Sequence, residues 1–259
     1  MADFSERYGP WAVVTGAAQG VGLAFTEALV ARGCGVVMLD RQPSVVEVAA
    51  AVAGPTRAVV ADLADRSWIA ALDEATADVE VGLAVANAAV SYVGPFLNQP
   101  EDSRAASVVV NCLATTELAG WALPPMVRRG RGGFVVTSSG SALAGTGSVA
   151  TYSASKAYVL NLAEAVGWEL RGTGVDALAV VAPAMDTPGW RSHAVDQDHV
   201  AVAPVDPRPV VERALDHLPV GGWLLAGEGL DAVAALDRGA RVELLSDVTS
   251  AMYPHEYPR

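Results

Sequence analysis

The sequence predicts an α/β fold, a doubly wound parallel sheet with helices on both faces. Three observations predict it. Short apolar runs alternate with longer stretches of helical spacing along the whole chain. The runs are apolar throughout instead of alternating with polar residues, so both faces of each strand are buried, the habit of parallel strands covered by helices. Glycines mark the joints, beginning with "TGAAQGVG" (15–22). No repeat, low-complexity tract or charged linker divides the 259 residues, a length that suits one large α/β domain.

The elements follow in order. "WAVVTGA" (11–17) is a short apolar run that stops at glycine, and reads as a buried strand. In "VGLAFTEALVARG" (21–33), Leu23, Ala24, Ala28 and Ala31 recur at helical spacing and Gly33 supplies the stop. "GVVMLD" (35–40), "TRAVVADL" (56–63) and "VGLAVANAA" (81–89) read as the next three strands. "GGFVVTSS" (132–139), "VDALAVVAP" (175–183) and "GGWLLAG" (221–227) read as the fifth, sixth and seventh. Helices lie between them, including roughly 103–129 and 151–171. Sheets of this kind bind ligands beyond the carboxyl ends of their strands, so chemistry is expected just after strands 1, 2, 4, 5 and 6.

Composition narrows the classes. Hydrophobic residues make up 52% and charged residues 18%, enough for a sizeable core and against global disorder. The formal net charge of -12 repels phosphate backbones and anionic lipids, which disfavours nucleic-acid and membrane partners. Cys34 and Cys112 make no disulfide framework and sit in no metal-ligand spacing, so no metal is expected and both read as reduced structural thiols. The polar start "MADFSERYGP" lacks a signal-peptide core, and no apolar run reaches the roughly 18 residues of a membrane span. A cytoplasmic protein is the expectation.

A nucleotide site is expected at the first strand-to-helix turn. Gly16, Gly20 and Gly22 let the backbone turn tightly and approach a ligand, with Gln19 and Val21 between them. The helix amino terminus then offers N–H groups and a positive dipole end to a pyrophosphate. The spacing is G-x-x-x-G-x-G, and the bland alternative is an ordinary turn. Asp40 ends the second strand, where a carboxylate hydrogen-bonds both ribose hydroxyls of an adenosine and repels a 2′-phosphate. This favours NAD over NADP, although Arg41 follows directly and can pair with such a phosphate. Asp62 and Leu63 follow the third strand, where they are placed to line an adenine pocket. Asn87 is placed to pin the loop against the cofactor.

The chemical end starts from "TYSASKAYVL" (151–160), which holds Lys156, the only lysine in the chain. Tyr152 lies four residues before it, so on a helix the two share one face. With six tyrosines in 259 residues, a lone lysine falls four after one of them with odds of about 2%. A free tyrosine titrates near pH ~10 and is a poor base at neutral pH. A nearby ammonium stabilises phenolate and makes the phenol a usable acid/base. Ser139 sits just beyond the fifth strand, where its hydroxyl can share a substrate oxygen with the tyrosine, or form part of a polar turn. Asn111 is a polar residue in an apolar helical stripe, with helix bending as its structural alternative. Thr187 follows the sixth strand and is placed to hold a nicotinamide carboxamide, or to cap a helix.

In combination these residues resemble the short-chain dehydrogenase/reductase (SDR) family over about residues 10 to 190. Thr15-Gly16-x-x-x-Gly20-Val21-Gly22 matches the cofactor loop, and Asn87-Ala88-Ala89 resembles the Asn-Ala-Gly segment. Asn111, Ser139, Tyr152 and Lys156 match the catalytic tetrad, and Pro183 to Thr187, through Met185, resembles the Pro-Gly…Thr segment. The resemblance implies a Rossmann-type sheet of seven strands in order 3-2-1-4-5-6-7. It implies a cofactor half (about 10–130) and a catalytic half (about 131–259) of a single domain. It also implies roles. Tyr152 exchanges the hydroxyl proton while hydride moves between the substrate carbon and nicotinamide C4. Ser139 orients the substrate oxygen, and Lys156 lowers the tyrosine pKa and binds the nicotinamide ribose. Asn111 holds a water that relays protons. Ala89 and Ala184 replace the family's glycines, each adding a methyl near the cofactor path. The carboxyl end lacks the family's Asp-Gly-Gly ending, in a region that helps build tetramers, so a homodimer is as well supported as a homotetramer.

The leading functional reading is an NAD-dependent alcohol dehydrogenase or carbonyl reductase for a small hydrophobic substrate. Tyr92, Val93, Phe96, Leu143, Met185 and Trp190 supply apolar bulk near the expected pocket, unless they only pack. The alternatives are an NADP-dependent carbonyl or 3-ketoacyl reductase, which the lead-in "ERYGPWAVVTGA" loosely resembles, and a non-redox protein of the same fold: a cofactor sensor, an epimerase or a lyase.

Overall fold

Seven short apolar segments form parallel strands in the computed structural model, which describes residues 4–193, 197–200 and 203–253. They are β1 (Trp11–Thr15), β2 (Gly35–Asp40), β3 (Thr56–Val60), β4 (Val81–Ala86), β5 (Gly132–Ser139), β6 (Val175–Ala182) and β7 (Gly222–Leu225). One sheet holds them in the order β3-β2-β1-β4-β5-β6-β7, every neighbouring pair parallel. This is the Rossmann-type order that the resemblance implied. The strand order reverses between β1 and β4, and the crevice at their carboxyl ends is the place where such sheets bind ligands.

The helices are α1 (Phe4–Tyr8), α2 (Gly20–Ala31), α3 (Val45–Ala51), α4 (Trp68–Thr76), α5 (Glu101–Ala106) and α6 (Ala114–Arg129). They continue with α7 (Ala150–Glu169), α8 (Pro188–Arg191), α9 (Pro207–His217), α10 (Leu230–Ala235) and α11 (Arg238–Met252). Successive strand residues point to opposite faces and build two cores. Val13, Val37 and Leu39 meet Trp68 and Leu72 of α4, Leu118 and Met126 of α6, and Val159 and Ala163 of α7. Ala12, Val14, Val36 and Met38 meet Phe25 and Leu29 of α2, Val45 of α3, and Val211 and Leu215 of α9. Burying each such aliphatic or aromatic side chain contributes about 1.5–3 kcal/mol before conformational entropy is set against it.

Several boundaries differ from the sequence expectation. β1 stops at Thr15, two residues short, because Gly16 takes φ +67° and leaves the extended region. β3 ends at Val60 and β4 at Ala86, so Asp62, Leu63 and Asn87 lie in the loops beyond them. The long helix expected over 103–129 is α5 and α6 joined by a π-helical turn, Ser107–Leu113. Although no uninterrupted apolar run suggested it, the helical span Glu101–Arg129 is long and apolar enough by composition to cross a membrane. Its buried residues Leu118, Ala122 and Met126 lie in the core cluster with strand residues, which accounts for that composition. The carboxyl-terminal segment folds as α10 and α11 and ends, for the described residues, at Tyr253; 254–259 lie outside them.

Candidate active site

The glycine loop closes on itself after β1. Gly16 and Gly20 hold φ values of +67° and +56°, which side-chain-bearing residues rarely adopt. A Cβ on Gly22 would stand 2.0 Å from the Gly16 carbonyl oxygen and 2.8 Å from Asn87 Nδ2, so only glycine fits. Gln19 precedes α2 without a side-chain cap, and the first turn carries no acidic residue. The N–H groups of this 12-residue helix thus keep their capacity for an anion.

Asn87 pins this loop, as expected. Its Nδ2 donates to the Thr15 and Gly16 carbonyls (3.0 and 3.3 Å), and its Oδ1 accepts from Thr137 Oγ1 at 3.3 Å. The backbone N–H groups of Asn87 and Ala88 both donate to Thr15 Oγ1 (3.0 and 3.1 Å). One asparagine therefore ties the ends of β1, β4 and β5 together. Asp40 is buried at the end of β2; Oδ2 accepts from Ala18 N at 3.0 Å and Oδ1 from Gln42 N at 2.9 Å. Each oxygen retains a further lone pair for a ribose hydroxyl. Arg41 is exposed.

Other residues settle differently. Asp62 is exposed and its Oδ1 accepts from Ala64 N at 2.9 Å, a turn contact. Leu63 packs its side chain into the core cluster. Thr187 is the N-cap of α8, its Oγ1 accepting from Trp190 N at 3.2 Å, while its methyl lies against Gly20. Pro183 packs against Gly227, and Met185 forms a parallel bridge with Val205.

At the chemical end, Tyr152 and Lys156 lie one turn apart on α7. Lys156 Nζ stands 5.6 Å from the Tyr152 ring centroid and donates to the Thr137 carbonyl at 2.7 Å. The lysine is only 4% exposed, and burial pushes its pKa down to about 8, with Cys112 acting in the opposite direction. The Ser139 hydroxyl lies near enough to the Tyr152 phenol to act on its titration. Ser139 Oγ accepts from Ser141 N at 3.3 Å and from Ser141 Oγ at 3.1 Å. Burial pushes the Tyr152 phenol up, Ser139 pulls it back, and Tyr253 pushes it up again. The Lys156 ammonium faces the Tyr152 ring while donating to the Thr137 carbonyl.

Asn111 sits in the π-helical turn, 1% exposed. Its Oδ1 accepts from Val90 N (2.8 Å), and its Nδ2 donates to Val90 O and Ser155 Oγ (both 2.9 Å). Ser155 Oγ in turn donates to the Tyr152 carbonyl at 2.7 Å. Both amide hydrogens are thus spent on protein, so the side chain works as a brace between the β4 loop and α7. The apolar pocket also shifts. Leu143 is a core residue, and Phe96 is 50% exposed beneath the Arg104 guanidinium, 5.6 Å from its ring centroid. Tyr92, Val93, Met185 and Trp190 remain half-buried.

Three residues without a sequence signal join the site. Ser91 Oγ lies 2.8 Å from His193 Nε2, and the His193 ring meets Tyr253 edge-on at 6.4 Å. Burial pushes the His193 pKa down. They come from segments outside the helices and strands, far apart in sequence, and none belongs to a motif. Among the described residues no group of His, Cys, Asp or Glu is placed to hold a metal ion.

Residues 10–198 match the family model described as short chain dehydrogenase. The chain belongs to the short-chain dehydrogenase family. It is 34% identical over 182 residues to the human protein named inactive hydroxysteroid dehydrogenase-like protein 1, covering 67% of this chain and 55% of that one. The chain spans about half the length of that relative. It is 28% identical over 231 residues to a 7beta-hydroxysteroid dehydrogenase from Clostridium sardiniense, covering 87% and 88% of the two chains. A solved structure of a candidate NAD(P)-dependent gluconate 5-dehydrogenase from Beutenbergia cavernae, with NADP bound at low occupancy, matches with a TM-score of 0.79. That match is at 28% identity and covers 89% of this chain and 100% of that one.

Proposed function

We propose that the protein is an oxidoreductase that moves a hydride between NAD(H) and a hydrophobic secondary alcohol or ketone. The observation that carries this reading is the cluster of Ser139, Tyr152 and buried Lys156, with Ser139 near the phenol and the ammonium 5.6 Å from its ring. The uncapped start of α2, the glycine cradle and buried Asp40 fit a dinucleotide. Gly16, Gly20 and Gly22 would meet its pyrophosphate, Asp40 a ribose, and Thr187 and Lys156 its nicotinamide end. The bound cofactor supplies the hydride donor or acceptor. Tyr152 gives or takes the proton at its phenol oxygen, and Ser139 shares that oxygen and orients the substrate. A buried lysine cation in the same site favours phenolate when it faces the ring. Tyr92, Val93 and Trp190 offer apolar surface to the substrate. The protein acts in the cytoplasm as a homodimer or homotetramer, without nucleic-acid or membrane partners.

NAD rests on Asp40 alone and is opposed by exposed Arg41. Titration of the six tryptophans' fluorescence with NADH and NADPH tests it. NADH is expected to bind at least about tenfold more tightly, the electrostatic cost of placing a phosphate beside a carboxylate; tighter NADPH binding would overturn this. Tyr152→Phe is expected to cut turnover by about 10²–10⁴-fold, the usual share of a general acid/base, and to leave NADH affinity within about twofold. Near-normal turnover in that variant would sink the mechanism. The second reading is a cofactor-binding protein without turnover, which the name of the human relative favours. Net oxidation of NADH by any ketone excludes it.

A further inference from the structure

The carboxyl-terminal helix is fastened to the loop between Ser139 and Tyr152 by contacts from successive turns. Arg241 Nη1 donates to Leu143 O at 3.1 Å, Ser246 Oγ accepts from Gly147 N at 2.9 Å, and Ser250 Oγ pairs with Ser148 Oγ at 3.2 Å. These contacts deliver Tyr253, the residue after α11, to the site. Tyr253 is 7% exposed, yet among the described residues nothing hydrogen-bonds its hydroxyl. It lies near enough to Tyr152 for the two phenols to repel when ionised, and its ring rests on the edge of His193. His193 is tied to Ser91, so loops after β4 and β6 and the end of α11 meet over the catalytic tyrosine. Packing holds the ring in place and leaves the hydroxyl unpaired and open to a bound molecule near Tyr152.

We propose that Tyr253 is a further substrate-contacting residue, whose hydroxyl donates to a second oxygen of the substrate, one or two carbons from the carbon that Tyr152 and Ser139 serve. This names the substrate class as alcohols or ketones with such a neighbouring oxygen, and it rests on the dehydrogenase reading above.

Two compounds test it: a medium-chain 3-oxoacyl thioester and a methyl ketone of the same length, which lacks the second oxygen. Each is reduced with NADH by the wild type, Tyr253→Phe and Tyr152→Phe. Tyr253→Phe is expected to raise KM for the thioester about five- to tenfold more than for the ketone, the size of one lost hydrogen bond, with kcat within about twofold. An equal effect on both compounds, or none on either, overturns the proposal, since a merely structural role moves both alike. Full turnover in Tyr152→Phe overturns the underlying mechanism instead. Titrating both compounds into protein loaded with NAD⁺, where a ketone has no hydride to accept, gives the same comparison without turnover. There the thioester's Kd should weaken about fivefold in Tyr253→Phe while the ketone's Kd holds, and an equal shift of both compounds, or none of either, overturns the assignment.

Discussion

Lys156 shows what one residue costs the fold and why the cost is kept. Its ammonium is almost wholly enclosed, with the Thr137 carbonyl as its hydrogen-bond partner among the described residues. Burial without a counter-ion lowers its pKa from 10.5 to about 8. The unfolded chain therefore binds a proton more tightly than the folded one. Below about pH 8 both states are protonated and the full penalty falls on the fold; between pH 8 and 10.5 the folded state sheds its proton first, and stability rises. At roughly 1.4 kcal/mol per pH unit, the rise is on the order of 3 kcal/mol. Urea unfolding at pH 7.5 and 10 should show this increment in the wild type relative to Lys156→Met; parallel pH profiles in the two would refute it. A chain that meets every other need for positive charge with arginine keeps a lysine here because arginine is bulkier, planar and always charged.

At the scale of elements, the π-helical turn is the feature on which the site leans most. It places Asn111 so that one side chain satisfies both the N–H and the C=O of Val90 and reaches Ser155 on α7. Asn111→Leu would strand two polar groups, the N–H and C=O of Val90, each costing about 1–3 kcal/mol when buried. Some relaxation and water entry are expected, so a loss of about 2–4 kcal/mol is predicted in urea unfolding, and a loss below 0.5 kcal/mol would show that the brace is dispensable. The strands were legible in the sequence because a doubly buried strand has to be apolar throughout, and the glycine loop because its φ values exclude side chains. Asn111, Ser139, Tyr152 and Lys156 were legible as a spacing pattern. The π turn was not, because nothing in "SVVVNCL" differs from an ordinary apolar helix. Tyr253, His193 and Ser91 were invisible, because the contacts that gather them span from 60 to more than 100 residues and leave no periodicity.

At the scale of the molecule, charge and apolar surface pull against each other. Each chain carries a net charge of -12, so two copies repel at long range. Yet α6, α7 and the π turn expose Trp168 (66%), Val108 (59%) and Tyr158 (45%), and Tyr158 OH lies 2.9 Å from Thr116 Oγ1, joining α7 to α6 on this side. We take this paired-helix surface as the contact between copies in the proposed homo-oligomer. An interface built on apolar burial between like-charged partners should strengthen with salt, because screening removes the repulsion and leaves the burial intact. One built on ion pairs would weaken. Sedimentation at 50 and 500 mM salt should therefore show a dimer or tetramer whose dissociation constant falls at the higher salt. The double variant Tyr158→Glu, Trp168→Glu should sediment as a monomer at both, since it places two more carboxylates in a desolvated contact on each side. A wild type that is monomeric at micromolar concentration in both salts would remove the oligomer from the proposal, and an unchanged double variant would move the interface to another face.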